Sequence, residues 1–168
     1  HRGFETLLGR VQVPSDREVL TFLSESYQHA SHMADDQGLS TWPKQIVHAD
    51  WHPGNMIFAG DRVIAVIDYD SARFLPRAVD VANGALQFSI LGGCGGGSCG
   101  EEDVAKWPAE MDESRFRRFL RGYDEVSLLT EAEVRTLPWL MIEALIAEAV
   151  FPIAATGHFG RVEGAPFL

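Results

Sequence analysis

The side chains best suited to chemistry are concentrated in IVHADWHPGN, residues 46–55, and at the end of RVIAVID, residues 62–68. Asp50 and Asn55 have four residues between them, and Asp68 closes the second segment. A D-x-x-x-x-N spacing occurs in phosphoryl-transfer loops, where the aspartate accepts the proton of the substrate hydroxyl and the asparagine holds a metal ion. That reaction needs mainly positioning and charge neutralisation, which these three side chains can supply.

The segment that joins Asn55 to Asp68 predicts a β-hairpin, with Gly60-Asp61 in a type II′ turn. This turn pairs Asn55 with Val66 and makes Asn55 and Asp68 diagonal neighbours, with backbones about 7–8 Å apart. Two oxygen-bearing side chains at that separation suit Mg²⁺, which fills its other positions with water and substrate phosphates. Asp68 also ends a run typical of a buried strand, where an unpaired carboxylate is costly. A metal ion would resolve that cost, and a salt-bridged or solvent-facing aspartate is the equal alternative.

His48 and His52 flank Asp50 at positions i and i+4, a spacing that also invites a metal-hydrolase interpretation. A zinc site of that kind needs at least three protein ligands. The pair His29 and His32 is more typical of a solvated helix face than of a chelating site. We interpret His48 and His52 as hydrogen-bonding residues that shape the loop around Asp50. A metal-dependent hydrolase using His48, Asp50 and His52 remains the alternative.

Composition and charge restrict the partners. The 168 residues suit one domain, and their formal net charge of −10 argues against nucleic acid or an anionic membrane as partner. No run of about eighteen apolar residues and no secretory leader are apparent, so we expect a cytoplasmic protein without a membrane span. Cys94 and Cys99 are too few for a four-thiolate zinc site, and the glycine-rich residues 92–103 predict a flexible loop. The oligomeric state is left open.

Hydrophobic periodicity predicts a mainly helical α+β fold with one small hairpin. Helices are expected within four segments, namely residues 14–35, 77–91, 112–126 and 130–156, and a short strand within residues 45–49. Thr130 and Glu133 form a capping box at the start of the last helix. Pro138 and Pro152 predict kinks or breaks within it.

The combined pattern VHADWHPGNMIFAGDRVIAVIDYDSA…RAVDVA resembles the catalytic core of the aminoglycoside phosphotransferase and choline kinase family, the small-molecule branch of the protein-kinase-like fold. In that family the loop reads approximately H-G-D-x-H-x-x-N, and the following hairpin ends in I-D. The resemblance implies that Asp50 is the catalytic base and that Asn55 and Asp68 are the metal ligands.

The same resemblance assigns supporting roles. His48 and His52 correspond to the loop's structural histidines, and Asp80 to the aspartate that starts a helix and braces the loop from behind. The alternative for Asp80 is an ordinary helix-start carboxylate. Ala49 stands where the family usually has glycine. Trp51, inside the loop, is the best candidate for lining the acceptor pocket.

Kinases of this type also need a glycine-rich loop, a strand lysine and a helix glutamate. Neither G-x-G-x-x-G nor a V-x-x-K strand precedes Ile46, and Lys44 follows a proline. We therefore expect residues 1–168 to be the C-terminal lobe only, without the N-terminal nucleotide-binding lobe, and to transfer phosphate slowly or not at all alone.

The function implied by the resemblance is ATP- and Mg²⁺-dependent phosphorylation of a small-molecule hydroxyl. The acceptor would be aminoglycoside-, choline- or homoserine-like. The alternatives are the metal-dependent hydrolase and a non-catalytic kinase-like binding module.

Overall fold

The computed structural model describes residues 17–91, 110–156, 158–159 and 162–163. The predicted flexible loop at residues 92–103, with Cys94 and Cys99, lies outside these residues. Four helices dominate the described part: α1 (Arg17–Asp36), α2 (Ala78–Ser89), α3 (Glu113–Asp124) and α4 (Glu131–Thr156). The mainly helical α+β architecture agrees with the sequence prediction.

The strands form three two-stranded antiparallel sheets, β1–β4, β2–β3 and β5–β6. Their bounds are β1 (Lys44–Val47), β2 (Met56–Ala59), β3 (Arg62–Val66), β4 (Arg73–Pro76), β5 (His158–Phe159) and β6 (Val162–Glu163). Short 3-10 helices occupy Leu39–Thr41, Pro53–Asn55 and Tyr69–Ser71. Strand β4 was not predicted, because its four residues RFLP show no alternation of apolar and polar side chains.

The β2–β3 hairpin has the predicted turn but not the predicted register. Gly60 has φ +60°, and positive φ among the described non-glycine residues occurs only at Ala49 and Asp68, which excludes a type I′ turn. A bulge between Ile57 and Phe58 then shifts the pairing, so that Met56 rather than Asn55 faces Val66. The predicted pairing of Asn55 with Val66 is wrong by one residue, because turn residues alone do not reveal a bulge.

The expectation of a buried strand before Asp68 is also wrong. In β3, Val63 and Ile64 are 49% and 62% exposed, and Asp68 itself is exposed. Apolar composition does not reveal whether another element covers a strand. Burial therefore gives no reason for a metal ion at Asp68. A metal-binding role for Asp68 has to be argued from its position at the end of the hairpin.

Helix α4 starts with the predicted capping box. The Glu133 backbone N–H donates to Thr130 Oγ1 at 3.2 Å, and Glu133 Oε2 accepts from the Thr130 N–H at 2.8 Å. The predicted breaks at Pro138 and Pro152 do not occur, and one helix runs through both. An internal proline costs about 3 kcal/mol, and the packing of α4 against α1 and α2 offsets it.

By length and composition alone, α4 could cross a membrane, a property that core helices of soluble proteins share. In this structure α4 packs against α1 and α2. The main core contains these side chains: Ala34 of α1, Ala78, Val81, Ala82, Ala85 and Leu86 of α2, Leu129, and Leu137, Leu140 and Met141 of α4. Helix α2 is the centre of this core, and its first two turns lie directly behind residues 48–51.

Candidate active site

The polar loop, residues 48–55, is held by the first turn of α2. The backbone N–H groups of His48 and Ala49 each donate to one carboxylate oxygen of Asp80, both at 2.7 Å. Hydrogen bonds to a charged acceptor are about twice as strong as neutral ones. Asp80 therefore satisfies two backbone donors that no strand or helix would pair.

One turn further along α2, Asn83 supplies a third bond that sequence reasoning missed. Its Oδ1 accepts from the Trp51 backbone N–H at 2.6 Å, and its Nδ2 donates to Glu148 Oε1 of α4, also at 2.6 Å. The signal available in the sequence was an amide three residues after Asp80 in a mostly apolar helix. Only the fold could show that Glu148 meets it.

Ala49 adopts φ +61°, in the left-handed region that favours glycine. This is the position where the resembling family usually has glycine. The departure is thus a local backbone strain, and the bonds from the His48 and Ala49 N–H groups to Asp80 hold the strained residue in place.

His48 connects the polar loop to the hairpin end, residues 67–68. Its Nε2 lies 2.9 Å from the Ile67 carbonyl oxygen, which can only accept, so Nε2 carries the proton. The ring is buried, and its Nδ1 has no hydrogen-bond partner among the described residues. It also lies edge-on to Trp51, with ring centroids 5.4 Å apart.

His52 shapes the turn that follows Asp50. Its Nδ1 accepts from the Gly54 N–H at 3.1 Å, and its Nε2 lies 3.7 Å from Asp50 Oδ2. His48 is directed at Ile67 instead, so the two histidines do not converge with Asp50. Within the part of the chain that the structure describes, no group of three His, Cys, Asp or Glu side chains could hold a metal ion. This geometry does not favour the hydrolase alternative.

Asp50 and Asn55 are directly linked. Asn55 Nδ2 donates to the Asp50 backbone oxygen at 2.9 Å and to Asp50 Oδ2 at 3.1 Å. Because Nδ2 is committed to Asp50, Oδ1 is the Asn55 atom left to act as a metal ligand. The Ile67 N–H donates to the Asn55 carbonyl at 3.0 Å, which brings Asn55 beside the hairpin end.

Asp68 lies at that hairpin end in a left-handed conformation, with φ 63° and ψ 66°. Its carboxylate makes no capping hydrogen bond to the described 3-10 helix that follows. An amide oxygen from Asn55 and a carboxylate from Asp68 form a hard-oxygen donor set of the type Mg²⁺ prefers. The residues present therefore fit such an ion.

A cavity of about 740 Å³ opens beside Asp50. Its charged lining comes from two sides: Lys44 and Arg73 from the β1–β4 sheet, and Asp35, Glu143 and Glu148 from α1 and α4. Burial raises the pKa of both Glu143 and Glu148, and the charge of Asp50 adds to the effect at Glu148. Both signs of charge thus border one cavity.

Trp51 is placed elsewhere. Its indole lies against α2, where a Cβ added at Gly84 would come within 2.5 Å of Trp51 Cδ1. Trp51 is not among the described residues that line the cavity. Helical residues line the cavity instead, among them Tyr27, Leu140, Ala144 and Phe151.

Comparison with known proteins gives a consistent family. A model described as the phosphotransferase enzyme family matches residues 16–129. Similar curated proteins include a homoserine kinase from Granulibacter bethesdensis, 31% identical over 142 residues, which are 82% of this chain and 38% of that protein. A homoserine kinase from Rhizobium meliloti is 32% identical over 143 residues, 83% of this chain and 36% of that protein. A third, from Brucella ovis, is 34% identical over 98 residues, 58% of this chain and 26% of that protein.

The chain thus spans less than half the length of these relatives. The match to the family model covers most of this chain, because it includes α1, the polar loop, the hairpin, α2 and α3. The chain belongs to the phosphotransferase enzyme family.

Proposed function

We propose that the protein is an ATP- and Mg²⁺-dependent kinase that phosphorylates a hydroxyl group of a small molecule, and that this chain is its C-terminal lobe, acting in the cytoplasm. The observation that carries the proposal is the joined pair Asp50–Asn55 at the edge of the cavity. Asp50 in that position can act as a base towards a substrate hydroxyl in the cavity, while Asn55 faces a metal ion.

In the proposed reaction, an acceptor hydroxyl in the cavity gives its proton to the Asp50 carboxylate. The hydroxyl oxygen forms a bond to the γ-phosphorus of ATP, the bond from that phosphorus to the β–γ bridging oxygen breaks, and ADP leaves. Asn55 and Asp68 would hold Mg²⁺, which supplies charge neutralisation at the phosphates. Asp80, Asn83 and His48 keep the base in place through the contacts described above.

The acceptor we propose is a hydroxy amino acid of the homoserine type. Three similar proteins carry the name homoserine kinase. The cavity supports this choice, since Lys44 and Arg73 suit a carboxylate and Asp35 and Glu143 suit an ammonium group. An aminoglycoside or choline would use the acidic side alone.

The test is Asp50→Asn in the full-length protein, with Asp61→Asn in the exposed hairpin turn as the control. Loss of a general base lowers turnover by about 10²- to 10⁴-fold, and we expect nucleotide affinity to change little. ADP release would be followed with homoserine, choline and an aminoglycoside as acceptors. Full activity of the Asp50→Asn variant would refute the assignment of the base, and a preference for choline would refute the proposed acceptor.

A further inference from the structure

We infer that Asn83 and Glu148 form a positioning pair that ties the polar loop to α4 and keeps Asp50 in register with the acceptor cavity. The inference rests on the proposed function for its kinetic consequence only. The contacts themselves come from three separate elements: Trp51 in the loop, Asn83 in α2 and Glu148 in α4.

The first step is the orientation of the Asn83 amide. Asn83 is 7% exposed and contacts a donor on one side, the Trp51 N–H, and a carboxylate on the other, Glu148. If the amide were turned over, Nδ2 would face the N–H and Oδ1 would face the carboxylate. Two mismatched contacts would result, so Glu148 determines which Asn83 atom meets Trp51.

The second step is the position of Glu148 itself. Its other oxygen, Oε2, accepts from Gln87 Nε2, so both carboxylate oxygens are used by α2. Glu148 also lines the same cavity as Asp50. A buried carboxylate is costly unless its bonds are made, and here each of its bonds leads to the helix that holds the loop.

The third step is the effect on Asp50. Trp51 follows Asp50 directly, and its N–H belongs to the peptide unit that carries the Asp50 carbonyl. Asn55 bonds to that same carbonyl and to the Asp50 carboxylate. A shift at Trp51 N therefore moves the peptide unit that contains the Asp50 carbonyl, which is the group that accepts a hydrogen bond from Asn55. A displacement of about 1 Å can cost about a hundredfold in rate.

The alternative is that the pair only stabilises the packing of α2 on α4. An exchange of functional groups separates the two roles. In Asn83→Asp, the new carboxylate still accepts from Trp51 but faces the Glu148 carboxylate. In the double variant Asn83→Asp/Glu148→Gln, the new amide on α4 donates its N–H to the new carboxylate on α2, and its oxygen accepts from Gln87. Every contact is then restored with one bond reversed and the net charge of the pair unchanged.

The experiment measures kcat and KM for ATP in the full-length protein, with each variant assayed well below its own melting temperature. We expect Asn83→Asp to lower kcat by about ten- to a hundredfold, to leave KM for ATP within about twofold, and the double variant to recover most of kcat. Glu148→Gln alone keeps an oxygen that accepts from Asn83, and the Gln87 amide can turn over to meet its N–H, so this variant measures loss of the Glu148 charge separately from loss of the contact. Gln28→Glu, an exposed amide-to-acid change on α1, is the control for added charge.

A wild-type kcat for folded Asn83→Asp, or a double variant that regains stability without regaining kcat, would overturn the inference. Hydrogen exchange of the Trp51 amide gives a readout that does not depend on activity. We expect faster exchange in Asn83→Asp and recovery in the double variant. If the wild-type protein phosphorylates no acceptor, the proposed function fails, and unchanged exchange of Trp51 would separately refute the pair.

Discussion

The polar loop and the hairpin end each supply an aspartate to the proposed reaction, and the two are held in opposite ways. Around Asp50, three backbone N–H groups are taken by Asp80 and Asn83, and Asn55 bonds the carboxylate itself. Asp68 is exposed at the end of an exposed strand and is tied to the loop mainly through the Ile67 backbone next to it. One aspartate is preorganised, and the other is free to adjust its side chain.

This difference fits the two proposed roles. A base must meet one hydroxyl proton at hydrogen-bond distance, which requires a fixed position. A metal ligand can be oriented by the ion that it binds, because the ion brings its own attraction and coordination geometry. The protein therefore fixes the position of Asp50, the aspartate that no bound ion would orient.

The largest effect should come from removing the carboxylate of Asp80, which holds the polar loop, and the result is compared with removal of the Asp68 carboxylate. Asp80→Ala leaves the His48 and Ala49 N–H groups without their charged acceptor, and we expect the free energy of unfolding to fall by about 2 to 5 kcal/mol. Asp68→Ala should change it by less than about 0.5 kcal/mol, yet lower phosphoryl transfer by about a hundredfold or more. Urea unfolding and steady-state kinetics with Mg²⁺ titration measure both. Equal losses of stability in the two variants would contradict the prediction that Asp80 stabilises the fold and Asp68 does not.

A second prediction concerns the loss of stability in acid, which we expect at the start of α2, the helix that holds the polar loop. Arg77, at the start of α2, donates to both oxygens of Glu133 at 2.7 and 2.8 Å, and these bonds lower the pKa of Glu133 from 4.5 to about 2. As the pH falls below about 4.5, the unfolded chain binds this proton first. The contribution of the pair to stability is therefore present above pH 4.5 and is lost progressively towards pH 2.

Unfolding by urea at a series of pH values measures this loss, with Glu133→Gln as the reference. The variant should be less stable at pH 7 and should show a flatter profile below pH 4.5. A wild-type profile parallel to that of the variant would contradict the prediction.

A smaller effect is expected at Gly84, where α2 approaches the loop closely. A Cβ there would lie 2.5 Å from both Trp51 Cδ1 and Phe119 Cζ. We expect Gly84→Ala to cost about 1 to 3 kcal/mol through overpacking and to reduce kcat by displacing Trp51. Gly122→Ala on α3 is the matched control, since no described atom lies within 4 Å of its added Cβ. It should stabilise the protein slightly through helix propensity, and thermal unfolding of the two variants distinguishes these outcomes.

The smallest effect should come from Ala49→Gly. The φ of +61° at this position is strained for alanine, and glycine removes the strain but adds freedom to the unfolded chain. We expect a net gain of about 0.5 kcal/mol without loss of activity. A melting temperature below that of wild type would show that the loop tolerates alanine for a reason that backbone strain does not cover.

The sequence predicted the positions of the helices well because these depend on local signals. Capping at Thr130 and Glu133 and the periodicity of α2 act within one or two turns. The hairpin register was wrong because a bulge between Ile57 and Phe58 has no turn signature. The exposure of Ile64 depends on what covers β3, which no local pattern encodes.

The candidate site likewise contains features that depend on local sequence and features that depend on distant residues. The spacing of Asp50 and Asn55 is local, and their direct hydrogen bond follows from it. Glu148 lies 65 positions after Asn83, and only the packing of α4 on α2 brings them together. Support from distant residues of this kind is invisible to motif reasoning, although it determines where the motif points.

The placement of Asp80 and Asn83 about one helical turn apart has a consequence for how such a chain can change in length. Successive residues of a helix are rotated by about 100°, so a single inserted or deleted residue between positions 80 and 83 would direct the amide away from the loop. The hairpin turn at Gly60 imposes no such condition, because it is exposed and nothing described lies near its Cβ position. Insertions that natural variation or engineering introduces should therefore be tolerated at the turn and eliminated from the first turns of α2.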